Sequence, residues 1–324
     1  MPGGKVVTIV PPWASKHERH THLFEHAVID VLLATKNQTR TAELMRCGFN
    51  VINRVIHLST QRGLSRRNLS EMKFGHLSID EKSFKKGHEY VTVLSHPSSG
   101  CVMDIEHGRT KESVNLLLDR SLTEAQQQQV KTISMDMWKA YLSASEQKLP
   151  NAQVVHDRFH LIQYLNKAID KVRRREVRTN EEPRNSRYAL LKNQRNLTEK
   201  QRIKFELIRA GNYEVSRAWE VCENFRSMFG QETERTDGFI LFMNWARSAL
   251  NRQIKEVSKV VEMFKRHLSG VANALVTEFN NAMAERLNGK IQEIKTTARG
   301  YRTFEKIRSA ILFFHGGLNL CPLK

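Results

Sequence analysis

Between residues 74 and 107 the apolar side chains recur with a period of two, in "FGHLSIDEKSF", "HEYVTVLSHPSSG" and "GCVMDIEHG". Alternation of that kind predicts three successive strands, each with one buried face, and the Pro-Ser-Ser-Gly step suits a hairpin between the second and third. The pattern then changes. "TKESVNLLLDRSL" has helical spacing, "VKTISMD" reads as a strand, a helix starts at Trp138, "AQVVHD" reads as another strand, and a long helix begins near Arg158. The order βββαβαβα predicts one mixed sheet, antiparallel at first and then built from parallel crossover units, with helices on its faces.

The ribonuclease H fold has that layout, and in it the first and fourth strands are neighbours. Asp80 lies on the first and Asp136 ends the fourth, so the two carboxylates can meet although they are 56 residues apart in sequence. Strand alternation sends Ile79 into the core and Asp80 the other way. Two adjacent carboxylates repel unless a divalent cation sits between them, and hard oxygen ligands favour Mg²⁺ or Mn²⁺. A competing account makes Asp136 a simple N-cap for the helix that follows. A third carboxylate would come from a helix beside the sheet. In "TEFNNAMAERLNGKIQEIKTTARGYRTFEKIRSAILFF", Asn281, Glu285, Asn288 and Gln292 share one helical face, next to an apolar stripe of Ala284, Leu287 and Ile291. Glu285 is the candidate, while periodicity alone also allows Glu278 or Glu293.

Charge narrows the class of partner. Among 324 residues, 52 Lys and Arg face 34 Asp and Glu, a net +18 that points to a polyanion, nucleic acid first. No segment approaches the ~20 apolar residues of a membrane span and no signal sequence opens the chain, so a cytoplasmic, nucleoid-associated protein is expected. The four cysteines are scattered without a CxxC pair, which argues against both a zinc ribbon and a disulfide framework.

Five segments are expected: an arm over 1–22, a helix-turn-helix region over 23–73, a first catalytic part over 74–164, a basic helical insertion over 165–270, and final catalytic helices over 271–324. The arm holds Pro11 and Pro12, and its histidines, His17, His20 and His22 with His26 beyond, read as solvated surface. In the helix-turn-helix, Thr41, Ala42, Leu44 and Met45 would build the first helix and Gly48 the turn. "FNVINRVIHLS" would be the recognition helix, with Val51, Val55 and Ile56 facing inward. Residues 36–75 carry eight basic and two acidic side chains, and residues 165–210 carry fourteen and six. Arg46, Asn50, Asn53, Arg54, Arg62, Arg66 and Arg67 are the DNA-binding candidates of the first region, Arg173, Arg174 and Arg175 those of the second. Lys295 and Arg299 follow the proposed glutamate.

The set "SIDEKSFKKGHEYVTV", "SMDMWKAY", "VVHDRFHLIQYLNKAIDKVRR" and "NNAMAERLNGKIQEIKTTARGYRTFEKIR" resembles the ISL3 family of insertion-sequence DDE transposases, in order and over most of the chain. The resemblance implies a ribonuclease H-like domain interrupted by a helical insertion and preceded by helix-turn-helix elements. It implies the triad Asp80, Asp136 and Glu285, the glutamate being selected by "NNAMAERLN", and two bound Mg²⁺ or Mn²⁺ ions. "DRFH" resembles a DxxH element found after the second aspartate, with Asp157 and His160 in supporting roles. Double-stranded DNA would be the partner, with a homodimer or larger assembly on it. Family members usually begin with a cysteine-bearing zinc segment, so the entry at "VVTIVPPWASKHERHTH" suggests a shortened N-terminus. The rival readings are a DNA-binding regulator without catalysis and a ribonuclease H-type nuclease that cuts without joining.

Overall fold

The computed structural model describes residues 11–14, 20–69, 72–85, 89–192, 196–229, 235–276, 282–298 and 301–322, without the side chains at 84–85, 235–236 and 282–285. His17, Glu278, Asn281 and Arg299 lie outside the described residues. The chain folds as two units, one of residues 1–129 and 282–324, the other of residues 130–281.

The first unit opens with α1 (His22–Thr35), α2 (Gln38–Leu44) and α3 (Phe49–Ser65). Thr21 caps α1 by accepting from the Phe24 N–H, and Asn37 caps α2 from Arg40. The turn between α2 and α3 is not made by Gly48, whose φ of −70° is open to any residue. Arg46 makes it, at φ 50°. The Cys47 N–H reaches back to the Ala42 carbonyl and the Arg46 N–H to that of Glu43, the paired bonds of a Schellman ending. The inward face of α3 also differs from expectation: Ile52, Val55 and Ile56 are buried, while Val51 is half-buried. The face is chosen by its partners, because Phe313 and Leu320 from the far end of the chain complete the core around Val28, Ile29 and Leu32.

Three antiparallel strands follow, β1 (His76–Lys85), β2 (Glu89–His96) and β3 (Cys101–His107), with β2 in the middle. Gly100 closes the β2–β3 turn at φ 67°, a conformation that its missing Cβ permits. Next come α4 (Lys111–Ser121), capped by Thr110, and a short α5 (Glu124–Gln129).

The second unit holds β4 (Thr132–Met135), α6 (Lys139–Lys148) and β5 (Gln153–His156), with β4 and β5 parallel. The rest is helical: α7 (Arg158–Glu176), α8 (Arg187–Leu191), α9 (Glu199–Ala210), α10 (Glu214–Ser227), α11 (Arg235–Asn251), α12 (Lys255–Arg266) and α13 (Leu268–Val276). Their core is aromatic, with Phe225 against Trp245 and Phe264, and the Trp245 indole donates to the Val221 carbonyl. Gly270 lets α13 approach β5, since a Cβ there would lie 2.5 Å from the His156 ring.

The chain then returns to the first unit with α14 (Ala282–Thr297) and α15 (Phe304–His315). Leu287 and Ile291 of α14 and Ile307, Ile311 and Leu312 of α15 pack on Val91, Val93, Val102 and Ile105. Antiparallel and parallel strands with flanking helices are consistent with a ribonuclease H-like core. Among the described residues no helix is long and apolar enough to cross a membrane.

Candidate active site

Ile79 is buried and Asp80 stays partly exposed, as strand alternation requires. Asp80 Oδ1 accepts from the Glu81 N–H at 2.8 Å. Its Oδ2 faces the Lys82 ammonium at 3.0 Å and accepts from the Asn288 amide of α14. Lys82 reaches that position because residues two apart share a strand face, so the signal was present in "IDEK". Lys295, seven residues beyond Asn288, donates to the Ser83 carbonyl at 2.6 Å, which fastens α14 to β1 at a second point. Glu285 precedes Asn288 by three residues on α14, a spacing that keeps two positions on one side of a helix. The Glu285 side chain is outside the described set.

In the second unit, Asp136 directly follows β4. It does not cap α6: the N-cap position is Trp138, without a side-chain cap bond, and Asp136 Oδ1 accepts from the Met137 N–H at 2.7 Å. The N-cap account therefore has no geometry behind it. Nearby, burial lowers the pKa of His267, Arg266 lowers it further, and the Asp136 charge pulls the other way. His267 was not foreseen, being an isolated histidine at a helix junction. Its ring meets that of His156 edge-on at 5.5 Å between centroids. Burial drives His156 down to about 4, although its hydrogen bond to the Met135 carbonyl opposes the shift.

Among the described residues, no three or more His, Cys, Asp or Glu side chains gather as a metal site. The donor chemistry at Asp80 nonetheless suits a hard cation. Asp80 offers hard carboxylate oxygens, one of which, Oδ2, is engaged here by the Lys82 ammonium and the Asn288 amide.

The family model described as a transposase, DDE_Tnp_ISL3, matches residues 77–311, a span that takes in all three candidate carboxylates. The chain belongs to the ISL3 family of DDE transposases. It is 24% identical over 318 residues to the transposase for insertion sequence element IS1001 of Bordetella parapertussis, covering 92% of this chain and 75% of that one. It is 27% identical over 333 residues to the transposase for insertion sequence element IS1557 of Mycobacterium tuberculosis (strain CDC 1551 / Oshkosh), covering 93% and 72%.

Elsewhere in this ISL3 member, Asp157 caps α7 by accepting from the Phe159 N–H, and its other oxygen lies 3.0 Å from His160 Nδ1. The DxxH element is thus a helix-start pair. The basic candidates divide sharply. Arg62 bonds Glu25 at 2.7 Å and the Leu320 carbonyl at 2.7 Å, Arg66 bonds the Cys321 carbonyl, and Arg67 bonds the carbonyls of Met103 and Gly316. These three guanidiniums hold the protein's own backbone. Burial lowers the pKa of Arg67, against the pull of Asp104. Arg175 bridges Glu214 and Glu256, and those hydrogen bonds raise its pKa. Burial would raise the Asp170 carboxyl, but hydrogen bonds and charge from Arg173 and Arg174 outweigh it and hold Asp170 below the usual range. Arg46, Asn50 and Arg54 are exposed, Asn53 is half-buried, and Arg174 keeps 66% of its side chain exposed while paired with Asp170.

Proposed function

We propose that this chain is the transposase of a bacterial insertion sequence, cutting DNA at the element ends and joining the freed ends to a target. The observation that carries the reading is the family match over residues 77–311, which spans carboxylates on β1, directly after β4 and on α14. Asp80, Asp136 and Glu285 would hold two Mg²⁺ or Mn²⁺ ions, as membership of the family implies. When bound, such ions activate an attacking oxygen and stabilise the leaving one.

The protein's own groups prepare that chemistry. The backbone N–H that follows each aspartate fixes its Oδ1, at 2.8 Å for Asp80 and 2.7 Å for Asp136, and so limits rotation of the carboxylate. Asn288 orients Asp80 from α14, and Lys82 balances its charge, an ammonium that must swing aside for a metal to take Oδ2. Cutting attacks a phosphodiester with water and leaves a 3′-hydroxyl. Joining uses that hydroxyl to attack a target phosphodiester, breaking one P–O bond as another forms, so no covalent protein intermediate is needed. Arg46, Asn50, Asn53, Arg54 and Arg174 remain the side chains proposed to meet DNA, while Lys295 is engaged by the Ser83 carbonyl and the supporting role of Asp157 and His160 is confined to the start of α7. Two ends joined in concert require a dimer or larger assembly on DNA.

The test is nicking of a labelled element end with Mg²⁺ or Mn²⁺. The unaltered protein cuts, while Asp136→Asn binds the DNA equally well and does not cut. Equal cutting by both would remove Asp136 from the site. Appearance of joined product, in the same reaction with an added target, separates a transposase from a nuclease that only cuts.

A further inference from the structure

Within the first unit, a cleft of about 750 Å³ opens between the start of α3 and the segment leading into α15. Its charge is one-sided. Lys36, Arg302 and Lys306 line it and, among the described residues, no carboxylate does, although Lys36 also pairs with Glu293 at 3.6 Å. Arg302 and Lys306 are exposed and make no ion pair among the described residues. Phe49 contributes the open aromatic face, 48% exposed at the very first position of α3, while Tyr301 lines the cleft partly buried against the core. Asn50 adds an amide able to donate and accept.

Cations without carboxylates select an anion, and aromatic faces select a flat ring. The two together describe a nucleotide. The volume falls within the ~300–1,000 Å³ of sites that enclose small ligands. In a duplex the base faces are stacked on one another and are not free to meet an aromatic ring. A base displaced from its stack can meet one, with its flanking phosphates on the cationic rim.

We infer that this cleft takes one unpaired base of a DNA strand, stacked on Phe49, with its phosphates on Lys36, Arg302 and Lys306. It depends on the transposase reading only in taking DNA as the polyanion. A DNA whose ends must be melted or bent for cutting offers such a base, and capture of it would hold the recognition helix at a fixed register.

The test is affinity of the full chain, without divalent metal, for a short duplex carrying a single unpaired adenine and for the same duplex fully paired. The unaltered protein binds the bulged duplex about tenfold more tightly, the scale of one base stacked on an aromatic ring. Phe49→Ala removes that preference and Phe49→Tyr restores it. Arg302→Gln weakens binding and lowers the slope of log affinity against log salt by about 1. Equal affinity for the two duplexes, or a preference that survives Phe49→Ala, overturns the inference. Bulge preference without metal-dependent nicking would leave the cleft standing and remove the catalytic reading; nicking without bulge preference would do the reverse.

Discussion

Replacing Asp104 with alanine should destabilise the first unit more than any change at a surface carboxylate. Asp104 lies on β3 at 3% exposure, and its oxygens accept from Arg120 Nε at 2.6 Å and from Arg308 through a two-pronged contact at 2.8 and 2.9 Å. Burial lowers the pKa of Arg308, but its hydrogen bonds to Asp104 more than offset that and raise it overall. Removing one member of a buried pair leaves the other charge uncompensated, at about 3–5 kcal/mol. Arg120 contributes little to this loss. Its side chain is 40% exposed and keeps Glu106 at 2.8 Å and the Ile105 carbonyl at 2.7 Å. Arg308, at 19% exposure, loses both its bonds to Asp104. The expected cost is therefore near the lower end, roughly 3 kcal/mol, against less than about 1 kcal/mol for Glu106→Ala. At roughly 2–4 °C per kcal/mol for a unit of this size, calorimetry should show Tm falling by about 6–12 °C. Asp104→Ala, Arg308→Ala and the double variant form a cycle whose coupling should exceed about 1 kcal/mol. An additive cycle, or a Glu106→Ala as damaging as Asp104→Ala, would refute the reasoning.

Two further outcomes are expected. Arg46→Gly relieves a left-handed residue at the end of α2 and should gain about 0.5–1 kcal/mol after the glycine's greater freedom when unfolded is counted. Melting temperature then rises while DNA affinity falls, and an unchanged Tm would contradict the strain. Acid should weaken the second unit through His156. Its folded pKa of about 4 lies below the ordinary 6.5, so the unfolded chain takes up the proton first. Stability is full above pH 6.5 and is lost as pH falls toward 4, by up to roughly 3 kcal/mol. Urea midpoints followed by Trp219 and Trp245 fluorescence should show this slope, and His156→Gln should flatten it; a slope indifferent to that change would place the titration elsewhere.

Much of the β-structure was legible because alternation is a local signal. Ile79 in and Asp80 out, the Pro-Ser-Ser-Gly turn, and the helix starting at Arg158 all follow from residues within a few positions of one another. What escaped depends on distant partners. Val51 and Ile52 are equally apolar, and the side chains packed around α3, Phe313 and Leu320 among them, decide which of them faces inward. A charge count cannot separate Arg54, open to solvent, from Arg62, whose partners Glu25 and Leu320 lie 37 and 258 residues away. Asp104 was passed over for a similar reason, since its partner Arg308 is 204 residues downstream. In the candidate site Asp80 and Asp136 are carboxylates among β-formers, a local feature that the sequence displays. Asn288 lay on the polar face with Glu285, but its contact with Asp80 spans 208 residues and has no local signature.

The helix-turn-helix is buttoned to residues made long after it. Thr60 donates to the Ser309 carbonyl, Arg62 to that of Leu320 and Arg66 to that of Cys321, while Phe313 and Leu320 fill the core beneath α3. During synthesis the ribosome must therefore thread the whole helical second unit before α3 acquires its floor. A partly made chain would carry α3 and its basic residues without the side chains that pack beneath them. α3 therefore gains its packed support only after α14 and α15 have been made. Truncation that removes the residues around 309–321 should cost the protein its grip on DNA before it touches any proposed catalytic carboxylate.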